Sequence, residues 1–339
     1  MVAGSPPRGG VSAAAVEPLA RDFADRVADY SGLQRPATLP PLEAVDRPTW
    51  IAANLLSMRP MLAPLTDRLD SEGALKGPVG AAAGIMLGAQ VGALTGMLSQ
   101  RVLGQYDLAL LDASVEPRLL LLAPNLAQAA QNLGVDRDEM VQWVTIHEIT
   151  HAVQFTGAPW LREHLGGMIR ELIDALQVSI AGRGEAERGM RMPKMPRMPD
   201  LADLRMIAAR ASGGEFLRLT LGEDRWQLVE GMQSAMSLVE GHAEHVMDAV
   251  GEEVLPSLPR LRAAMNRRRS QKGLPWKIFE KLLGLEMKMR QYEIGRRFCD
   301  EVVREGGRET LALAWAGPEA LPSAAELELP ALWLSRIAA

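Results

Sequence analysis

The sequence of 339 residues contains a single cysteine, Cys299. One cysteine excludes an intramolecular disulfide framework and a structural zinc site built from thiolates, and it is typical of proteins in the reducing cytoplasm. The first twenty residues also lack an apolar run after a basic start, so we expect no secretory signal. These two absences predict a cytoplasmic protein.

Aromatic residues make up only 4% of the chain, whereas apolar residues make up 47% and charged residues 23%. The scarcity of aromatic residues and the abundance of helix-favouring ones argue against a β-sandwich and favour a mainly helical protein. The net charge is −5, so the chain has no general attraction for nucleic acid or for an anionic membrane surface. We therefore expect no nucleic-acid partner.

Charge is absent altogether from residues 77–99, a run long enough to span a bilayer. Within it, glycine recurs at every fourth position from Gly80 to Gly96, which on a helix forms a stripe of small residues. One interpretation is a membrane-spanning or dimerising helix. The flanks lack an aromatic belt and clustered basic residues, which favours a helix buried with its backbone close to other elements. We expect the stripe to pack internally or in a dimer, and membrane association is the alternative.

Two segments predict little regular structure. Residues 1–15 are rich in Gly, Pro, Ser and Ala, so we expect a disordered tail there. The Met-Pro repeat within residues 182–200 cannot continue a helix and predicts a flexible loop. We expect the remaining chain, residues 16–339, to form a single domain that includes this loop.

Helical periodicity is the dominant pattern in that domain. The predicted helices cover residues 16–30, 137–155, 161–181, 226–250 and 276–301. A short apolar run from Arg118 to Ala123, ended by Pro124, predicts a buried strand. Because this strand shortly precedes the helix 137–155, we expect it to offer an edge with which a peptide substrate can pair.

The most informative motif is His147-Glu148-x-x-His151, within the predicted helix 137–155. Residues four apart lie on one face of a helix, so the two imidazoles can bind one metal ion. Glu148 is placed to reach a water molecule held by that ion. Two histidines and a carboxylate base are the groups that zinc-assisted hydrolysis requires.

The helix that carries this motif has both a start signal and a stop signal. Asp136 predicts an N-cap, and Glu139 three residues later completes a capping-box pattern. Gly157 and Pro159 predict the end of the helix. Apolar neighbours on the same face predict that the two imidazoles point inward, where a buried histidine pair needs a partner such as a metal.

A catalytic zinc site needs a third protein ligand, and the next group of ligand-type residues begins at Glu240. Glu240 and Glu244 are four apart and share a face of the predicted helix 226–250. We therefore favour Glu240 as the ligand. Glu244 then serves as a supporting carboxylate that accepts a ring N–H from His147 or His151.

Histidines offer a rival assignment of the third ligand. His242 and His245 lie in the same predicted helix but on other faces than Glu240. Either could replace Glu240 if the helix were rotated. His164 stands alone in the sequence, and we expect it to be structural or exposed.

The pair of motifs, the histidine helix and the downstream segment Glu240-Gly241-x-Ala243-Glu244, resembles the gluzincin branch of zinc metallopeptidases. In that branch the first glutamate of the second motif is the third zinc ligand, so the resemblance implies this role for Glu240. The chain from about residue 40 to 300 is also similar to a bacterial zincin-like family. Its members are named zinc-dependent metalloproteases, hydrolases or deazaflavin-coenzyme-biosynthesis-associated proteins. Besides the two motifs, the similarity includes Trp50-Ile51-Ala52-Ala53-Asn54, Val102-Leu103-Gly104-Gln105-Tyr106-Asp107 and Ala123-Pro124-Asn125-Leu126. It implies a mainly helical α+β fold around a small zincin-type sheet.

The motif and the resemblance together predict a zinc-dependent hydrolase. Among such hydrolases we favour a metallopeptidase that acts on a peptide or protein substrate. We expect His147, His151 and Glu240 to hold Zn²⁺, which lowers the pKa of its water toward about 7. We expect Glu148 to act as the general base toward that water and to pass the proton to the leaving amine.

Stabilisation of the developing oxyanion requires a further hydrogen-bond donor, and His242, His245 and Tyr292 are the candidates.

Two other functions are consistent with the same residues. One is a zinc-binding protein without protease activity, with a scaffold or assembly role linked to deazaflavin-coenzyme metabolism. The other is a membrane-associated protease that uses residues 77–99 as its span.

Overall fold

Within the part of the chain that the structure describes, a mainly helical fold surrounds one small sheet, as the sequence predicts. The computed structural model describes residues 13–71, 78–187, 223–270 and 285–338. Most of the expected disordered tail and of the Met-Pro loop lies outside these residues, as does the first part of the predicted helix 276–301. Helix extends into both of these segments. One helix begins at Ala13, within the expected tail 1–15, and another continues to Glu187, within the expected loop 182–200.

Eleven α-helices are seen in the described part of the chain, and we number them in chain order. They are α1 (Ala13–Ser31), α2 (Arg47–Ser71), α3 (Pro78–Leu98), α4 (Ala123–Leu133), α5 (Arg137–Gly157), α6 (Trp160–Glu187), α7 (Glu223–Val254), α8 (Leu258–Ser270), α9 (Leu285–Ala312), α10 (Ala324–Glu328) and α11 (Pro330–Ile337). Two short 3-10 helices, Leu313–Trp315 and Pro318–Ala320, join α9 to α10. The helices predicted around the two motifs are thus confirmed as α5 and α7.

The sheet contains β1 (Leu42–Val45), β2 (Gly104–Asp107) and β3 (Arg118–Leu122) in the order β1-β3-β2. The predicted strand is β3, and β1 is parallel to it while β2 is antiparallel. Because β3 lies in the middle, the expectation that it offers a pairing edge is wrong. The edge next to α5 is β2, a strand that the sequence did not predict.

Strand β3 is apolar on both faces because helices cover both sides of the sheet. Leu119 and Leu121 face the core that contains α1, α4, α5 and part of α7, whereas Leu120 and Leu122 face Trp50 of α2. All four leucines are buried. A strand covered on both faces reads as a continuous apolar run, which is why this strand could be recognised in the sequence.

Helix α7 contributes to two hydrophobic cores. Val246 and Val250 pack into the core built around α5 and the sheet, and Leu238 and Val239 pack into a second core with α6, α9 and the C-terminal helices. The segment between these two sets of residues carries the second sequence motif. Packing on both sides therefore fixes the position of that segment.

Helix α5 begins and ends where the sequence predicts. The Asp136 carboxylate accepts a hydrogen bond of 2.9 Å from the backbone N–H of Glu139. In the expected capping box, the Glu139 carboxylate would accept from the backbone N–H of Asp136. It accepts from the hydroxyl of Ser257 instead. At the other end, Gly157 lies against Leu33, and a Cβ there would come within 2.8 Å of that side chain.

Helix α3 differs from the expected buried helix. A Cβ built on Gly88, Gly92 or Gly96 would meet no atom within 4 Å, and Ile85 is 74% exposed. Gly88, Gly92 and Gly96 thus lack the expected close packing within the described fold, and packing of the stripe in a dimer stays a prediction. Among the described helices, none combines the length and apolar character that crossing a membrane requires.

Candidate metal centre

Two helices bring the three predicted ligands together. The Nε2 atoms of His147 and His151, one turn apart on α5, are 3.2 Å from each other. Oε2 of Glu240 on α7 is 3.6 Å from Nε2 of His147 and 3.7 Å from Nε2 of His151. We call these three residues the metal cluster. Their ligand atoms all lie within 4.8 Å of one another.

The spacing of these atoms fits a tetrahedral zinc site. Bonds of about 2.0–2.1 Å to nitrogen and oxygen place neighbouring ligand atoms of a tetrahedron about 3.3 Å apart. The three distances of 3.2, 3.6 and 3.7 Å lie close to this value. Two imidazoles and one carboxylate are also a donor set found in catalytic zinc sites, which leave one position open.

The electrostatic environment of the metal cluster favours positive charge. Burial lowers the pKa of His147, but the Glu240 carboxylate and the charges of Glu148 and Glu244 outweigh it and raise the pKa to about 9. At His151, burial lowers the pKa and the neighbouring His147 adds to this, which together outweigh the opposite effects of Glu240 and Gln154. The negative potential that attracts a proton to His147 attracts a divalent cation in the same way.

Glu148 is a buried carboxyl whose pKa is raised to about 7. Burial is the main cause and the charge of Glu240 adds to it, while His147 and a hydrogen bond from the backbone N–H of Tyr106 act in the opposite direction. A carboxyl with a pKa close to neutrality can both accept and donate a proton under physiological conditions. The predicted base thus lies beside the metal cluster as a buried carboxyl with a raised pKa.

Glycine at position 104 makes room for this carboxyl. Strand β2 passes so close to α5 that a Cβ on Gly104 would lie 2.7 Å from Oε1 of Glu148 and 2.6 Å from Cγ1 of Val144. Such contacts are shorter than atoms tolerate, so the side chain of Val144 or Glu148 would have to shift. Gly104 therefore allows the edge strand and the base to lie side by side.

Gln154 is a contact residue of the metal cluster that the sequence did not reveal. Its Oε1 is 2.8 Å from Nδ1 of His151, and its Nε2 is 2.8 Å from the carbonyl oxygen of Val239. Nε2 is also 2.9 Å from Nδ1 of His242. A glutamine three residues after the second histidine was the available signal, but its partners on α7 could not be read from spacing.

His242 lies outside the metal cluster. It is buried with Nδ1 at Gln154, and its ring packs edge-on against Trp315 with the centroids 4.9 Å apart. Burial lowers the pKa of His242 to about 3, with smaller contributions from two other histidines. The structure thus brings His242 behind His151, separated from it by Gln154, rather than into the place of a third ligand.

His245 belongs to a separate group of side chains, which we call the lateral cluster. Its Nε2 is 2.9 Å from the hydroxyl of Tyr30 on α1, and its Nδ1 is 2.6 Å from Oδ1 of Asp300 on α9. The guanidinium of Arg308 lies 5.0 Å from the centre of the Tyr30 ring. Both ring nitrogens of His245 are therefore occupied, and the structure does not bring it to the metal cluster.

The other sequence candidates have mixed outcomes. Glu244 is buried and its charge raises the pKa of His147. Nδ1 of His151 faces Gln154, so the expected contact of Glu244 with a ring N–H of His147 is the one that stays a prediction. The side chain of Tyr292 lies outside the described residues. His164 packs edge-on against Trp160, in keeping with a structural role.

Glycines also fix the position of Glu240. A Cβ on Gly241 would overlap the backbone of Gly295 and Arg296, and a Cβ on Gly295 would overlap the carbonyl of Ser237. Helices α7 and α9 thus cross with their backbones in direct contact, one residue after Glu240. The glycine of the second motif serves this crossing and so positions the ligand next to it.

A cavity of about 150 Å³ adjoins the metal cluster on the side of His147 and Glu148. Its remaining lining is mostly apolar and comes from β2, α5, α7 and α8. The lining residues are Leu103, Gly104, Trp143, Val144, Met247 and Met265. The cavity therefore offers space for an apolar group directly beside the base.

Comparison with known proteins agrees with this geometry. A model of the zincin-like metallopeptidase family matches residues 3–334. The chain is also similar to the crystal structure of a candidate hydrolase with a novel fold from Chloroflexus aurantiacus, with 26% identity and a TM-score of 0.69 over 98% of this chain and 92% of that one. No curated protein matches the sequence.

Proposed function

This chain belongs to the zincin-like metallopeptidase family, and from that premise we propose that it is a zinc-dependent hydrolase of peptide or amide bonds with gluzincin-type ligands. The observation that carries the proposal is the convergence of His147, His151 and Glu240 beside the buried carboxyl of Glu148. Buried residues of this kind with shifted pKa values are characteristic of catalytic sites.

The roles follow from the positions of the groups. His147, His151 and Glu240 would hold the ion, which when bound activates water and polarises a carbonyl group. Glu148 takes a proton from the attacking water and returns it to the leaving nitrogen. The N–H of Tyr106 orients the Glu148 carboxylate for both transfers.

Strand β2 supports a peptide as the substrate. It is an edge of the described sheet, and it lies directly beside Glu148 through Gly104 and Tyr106. An extended peptide can add to such an edge through backbone hydrogen bonds, which bind it independently of its side chains. We infer that the substrate pairs here, rather than with β3 as the sequence suggested.

The cavity beside Glu148 supports an apolar side chain next to the cleaved bond. An apolar cavity of about 150 Å³ is large enough to take up benzene in other proteins. The cavity found here has the same volume and is bounded by Trp143, Val144, Met247 and Met265. We infer that peptides with a leucine, methionine or phenylalanine at this position are preferred over those with glycine or a charged residue.

The proposal is tested with Glu148→Gln, assayed by mass spectrometry on a mixed peptide library. Wild type should bind one zinc ion and cleave peptides, and the variant should keep its zinc while turnover falls by about 100- to 10,000-fold. Glu139→Gln is a matched control, because it changes a glutamate of the same helix at the far end from the metal cluster. Cleavage by Glu148→Gln at the wild-type rate would contradict the proposed mechanism.

A zinc-binding protein without protease activity gives a different result in the same experiment. Wild type would then bind zinc, lose it on Glu240→Ala, and yet cleave no peptide of the library. That outcome would move the function from catalysis to a scaffold or assembly role.

A further inference from the structure

We propose that Gln154 is a positioning residue that holds His151 in its metal-binding form and ties it to the helix that carries Glu240. The inference rests on the metal centre of the proposed function. Gln154 is completely buried and lies three residues after His151 on α5. Its side chain reaches across to α7, so it contacts both helices that contribute ligands.

The orientation of the Gln154 amide follows from its partner on α7. The carbonyl oxygen of Val239, 2.8 Å from Nε2, can only accept a hydrogen bond. The NH₂ end of the amide must therefore face Val239, and the oxygen end must face His151. A flipped amide would place two oxygen atoms against each other in a buried site, which is strongly unfavourable.

This orientation determines which nitrogen of His151 carries the proton. Oε1 of Gln154 is an acceptor 2.8 Å from Nδ1, so Nδ1 carries the hydrogen atom and donates it. The lone pair is then on Nε2, the atom that is 3.2 Å from Nε2 of His147 and 3.7 Å from Glu240. Histidines that bind metals commonly donate their other N–H to such an acceptor, which orients the ring.

A second contact locks the amide in place. The other N–H of Gln154 points to Nδ1 of His242 at 2.9 Å, and the ring of His242 packs against Trp315. The amide of Gln154 thus has a partner for its oxygen and for both of its N–H groups. Because a buried group with all partners satisfied resists reorientation, the order Trp315, His242, Gln154, His151 forms a rigid support behind the metal cluster.

The same amide sets the spacing of the two helices at the metal centre. Val239, whose carbonyl accepts from Gln154, directly precedes Glu240 in the chain. A displacement of α7 relative to α5 would therefore break this hydrogen bond at the same time as it moved Glu240 away from the histidines. Gln154 couples the tautomer of one ligand to the position of another.

Two substitutions of Gln154 test separately its role as acceptor for His151 and its role as donor to Val239. Gln154→Glu keeps an acceptor at His151 but loses the donor to Val239, whereas Gln154→Met has a similar size and loses both. Without metal, both variants should unfold at a lower temperature than wild type. The zinc Kd, measured by competition with a chelator, should rise by about threefold for Gln154→Glu, which loses only the tie to Val239, and by about 10- to 100-fold for Gln154→Met, which also loses the acceptor at His151. The absorption bands of bound Co²⁺ should change only in Gln154→Met.

Thr150→Val is the matched control. Thr150 is equally buried on α5, and its hydroxyl donates to the carbonyl of Ile146 at 2.8 Å. The substitution removes one buried hydrogen bond from the same helix, so it should lower stability but leave the zinc Kd unchanged. If Gln154→Met does not fold, Gln154→Asn, whose amide is one methylene shorter, takes its place with the same expectation.

The possible results distinguish this inference from the proposed function. A zinc Kd that is unchanged in Gln154→Met, or raised equally in Gln154→Glu and Gln154→Met, would overturn the role of Gln154 while the metal centre stands. A wild type that binds no zinc, or an unchanged Kd in Glu240→Ala, would overturn both.

Discussion

Helix α7 carries two groups of polar side chains that look alike in the sequence and differ in the structure. The metal cluster and the lateral cluster each combine histidine with a carboxylate, and their α7 residues, Glu240 and His245, are close neighbours in the chain. In the lateral cluster each ring nitrogen of His245 has a partner of its own, at 2.9 and 2.6 Å. In the metal cluster two Nε2 atoms face one another at 3.2 Å and share one carboxylate.

This difference shows what makes a metal centre. Lone pairs that converge on one point repel each other unless a cation or a proton lies between them, whereas donors paired with acceptors need nothing further. The lateral cluster therefore stabilises the contact of α1, α7 and α9, and the metal cluster has ligand atoms directed at a common position. Residue composition alone does not distinguish the two.

The largest effect should come from Glu240→Ala. Protein ligands that together contribute roughly 10–16 kcal/mol to zinc binding lose about 4 kcal/mol when one is removed, so zinc affinity should fall by about 1000-fold. His245→Ala, the corresponding change in the lateral cluster, should leave the zinc content at one equivalent. Metal analysis of the two purified variants checks this, and zinc loss from His245→Ala would remove the distinction between the clusters.

A second difference lies in how Glu148, which adjoins the metal cluster, affects stability compared with the residues of the lateral cluster. The pKa of Glu148 is raised from 4.5 to about 7, mainly by burial, which corresponds to about 3 kcal/mol. Because the folded pKa lies above the unfolded one, this cost grows as the pH rises from about 4.5 to 7 and is fully present above that range. Metal-free Glu148→Gln should therefore be about 3 kcal/mol more stable than wild type at pH 8 and no more stable at pH 4.

Urea unfolding in the presence of a chelator, at both pH values, measures this gain. A residue that lowers the stability of the metal-free protein is expected at a catalytic centre and not in a structural cluster. If Glu148→Gln were less stable than wild type at pH 8, Glu148 would have a structural role like that of Asp300.

Gly241 lies between the two clusters, and its substitution should affect both. Gly241→Ala places a Cβ into the backbone of Gly295 and Arg296, so we expect a loss of about 2–3 kcal/mol in the free energy of unfolding and weaker zinc binding. Gly231→Ala on the same helix is the control. The nearest atom to its Cβ would be Sδ of Met168 at 3.8 Å, and a gain of up to about 1 kcal/mol is expected there. Equal effects of the two substitutions would show that the helix crossing does not position Glu240.

The smallest effect should come from His245→Gln. The substitution weakens the hydrogen bonds to Tyr30 and Asp300, and the carboxylate of Asp300 is half exposed, so about 1 kcal/mol of stability should be lost. Thermal unfolding with and without zinc should show the same shift in both states. A shift that appears only in the zinc-loaded protein would mean that the lateral cluster supports the metal centre.

The sequence was sufficient for those parts of the centre that depend on local geometry. His147, Glu148 and His151 could be found because a helical spacing of four residues is a physical constraint, and Asp136 and Gly157 marked the ends of the helix. Glu240 was selected because it shares a helix face with Glu244 and because its motif resembles a known one. Apart from that resemblance, each of these inferences needs only the residues of one helix.

The remaining features depend on how separate elements pack. Gln154 has partners 85 and more residues away, so no local pattern identifies it. Strand β2 is four residues long and alternates too little to predict, and its place at the edge was not evident from the short apolar run of β3. His242 contacts Gln154 and Trp315, whereas His245 contacts Tyr30 and Asp300. These partners come from several elements packed around α7, which no single helix pattern contains.

Gly104 has a consequence for the evolution of this architecture. Any point mutation that replaces this glycine introduces a side chain into the space between Val144 and the Glu148 carboxylate. A single change of this kind would displace the Glu148 carboxyl while leaving the three residues of the metal cluster intact. In diverging descendants of this chain, position 104 is thus a place, like position 148, where the proposed enzyme would become a non-catalytic zinc protein in one step. The residue found there would classify such a descendant before its activity is measured.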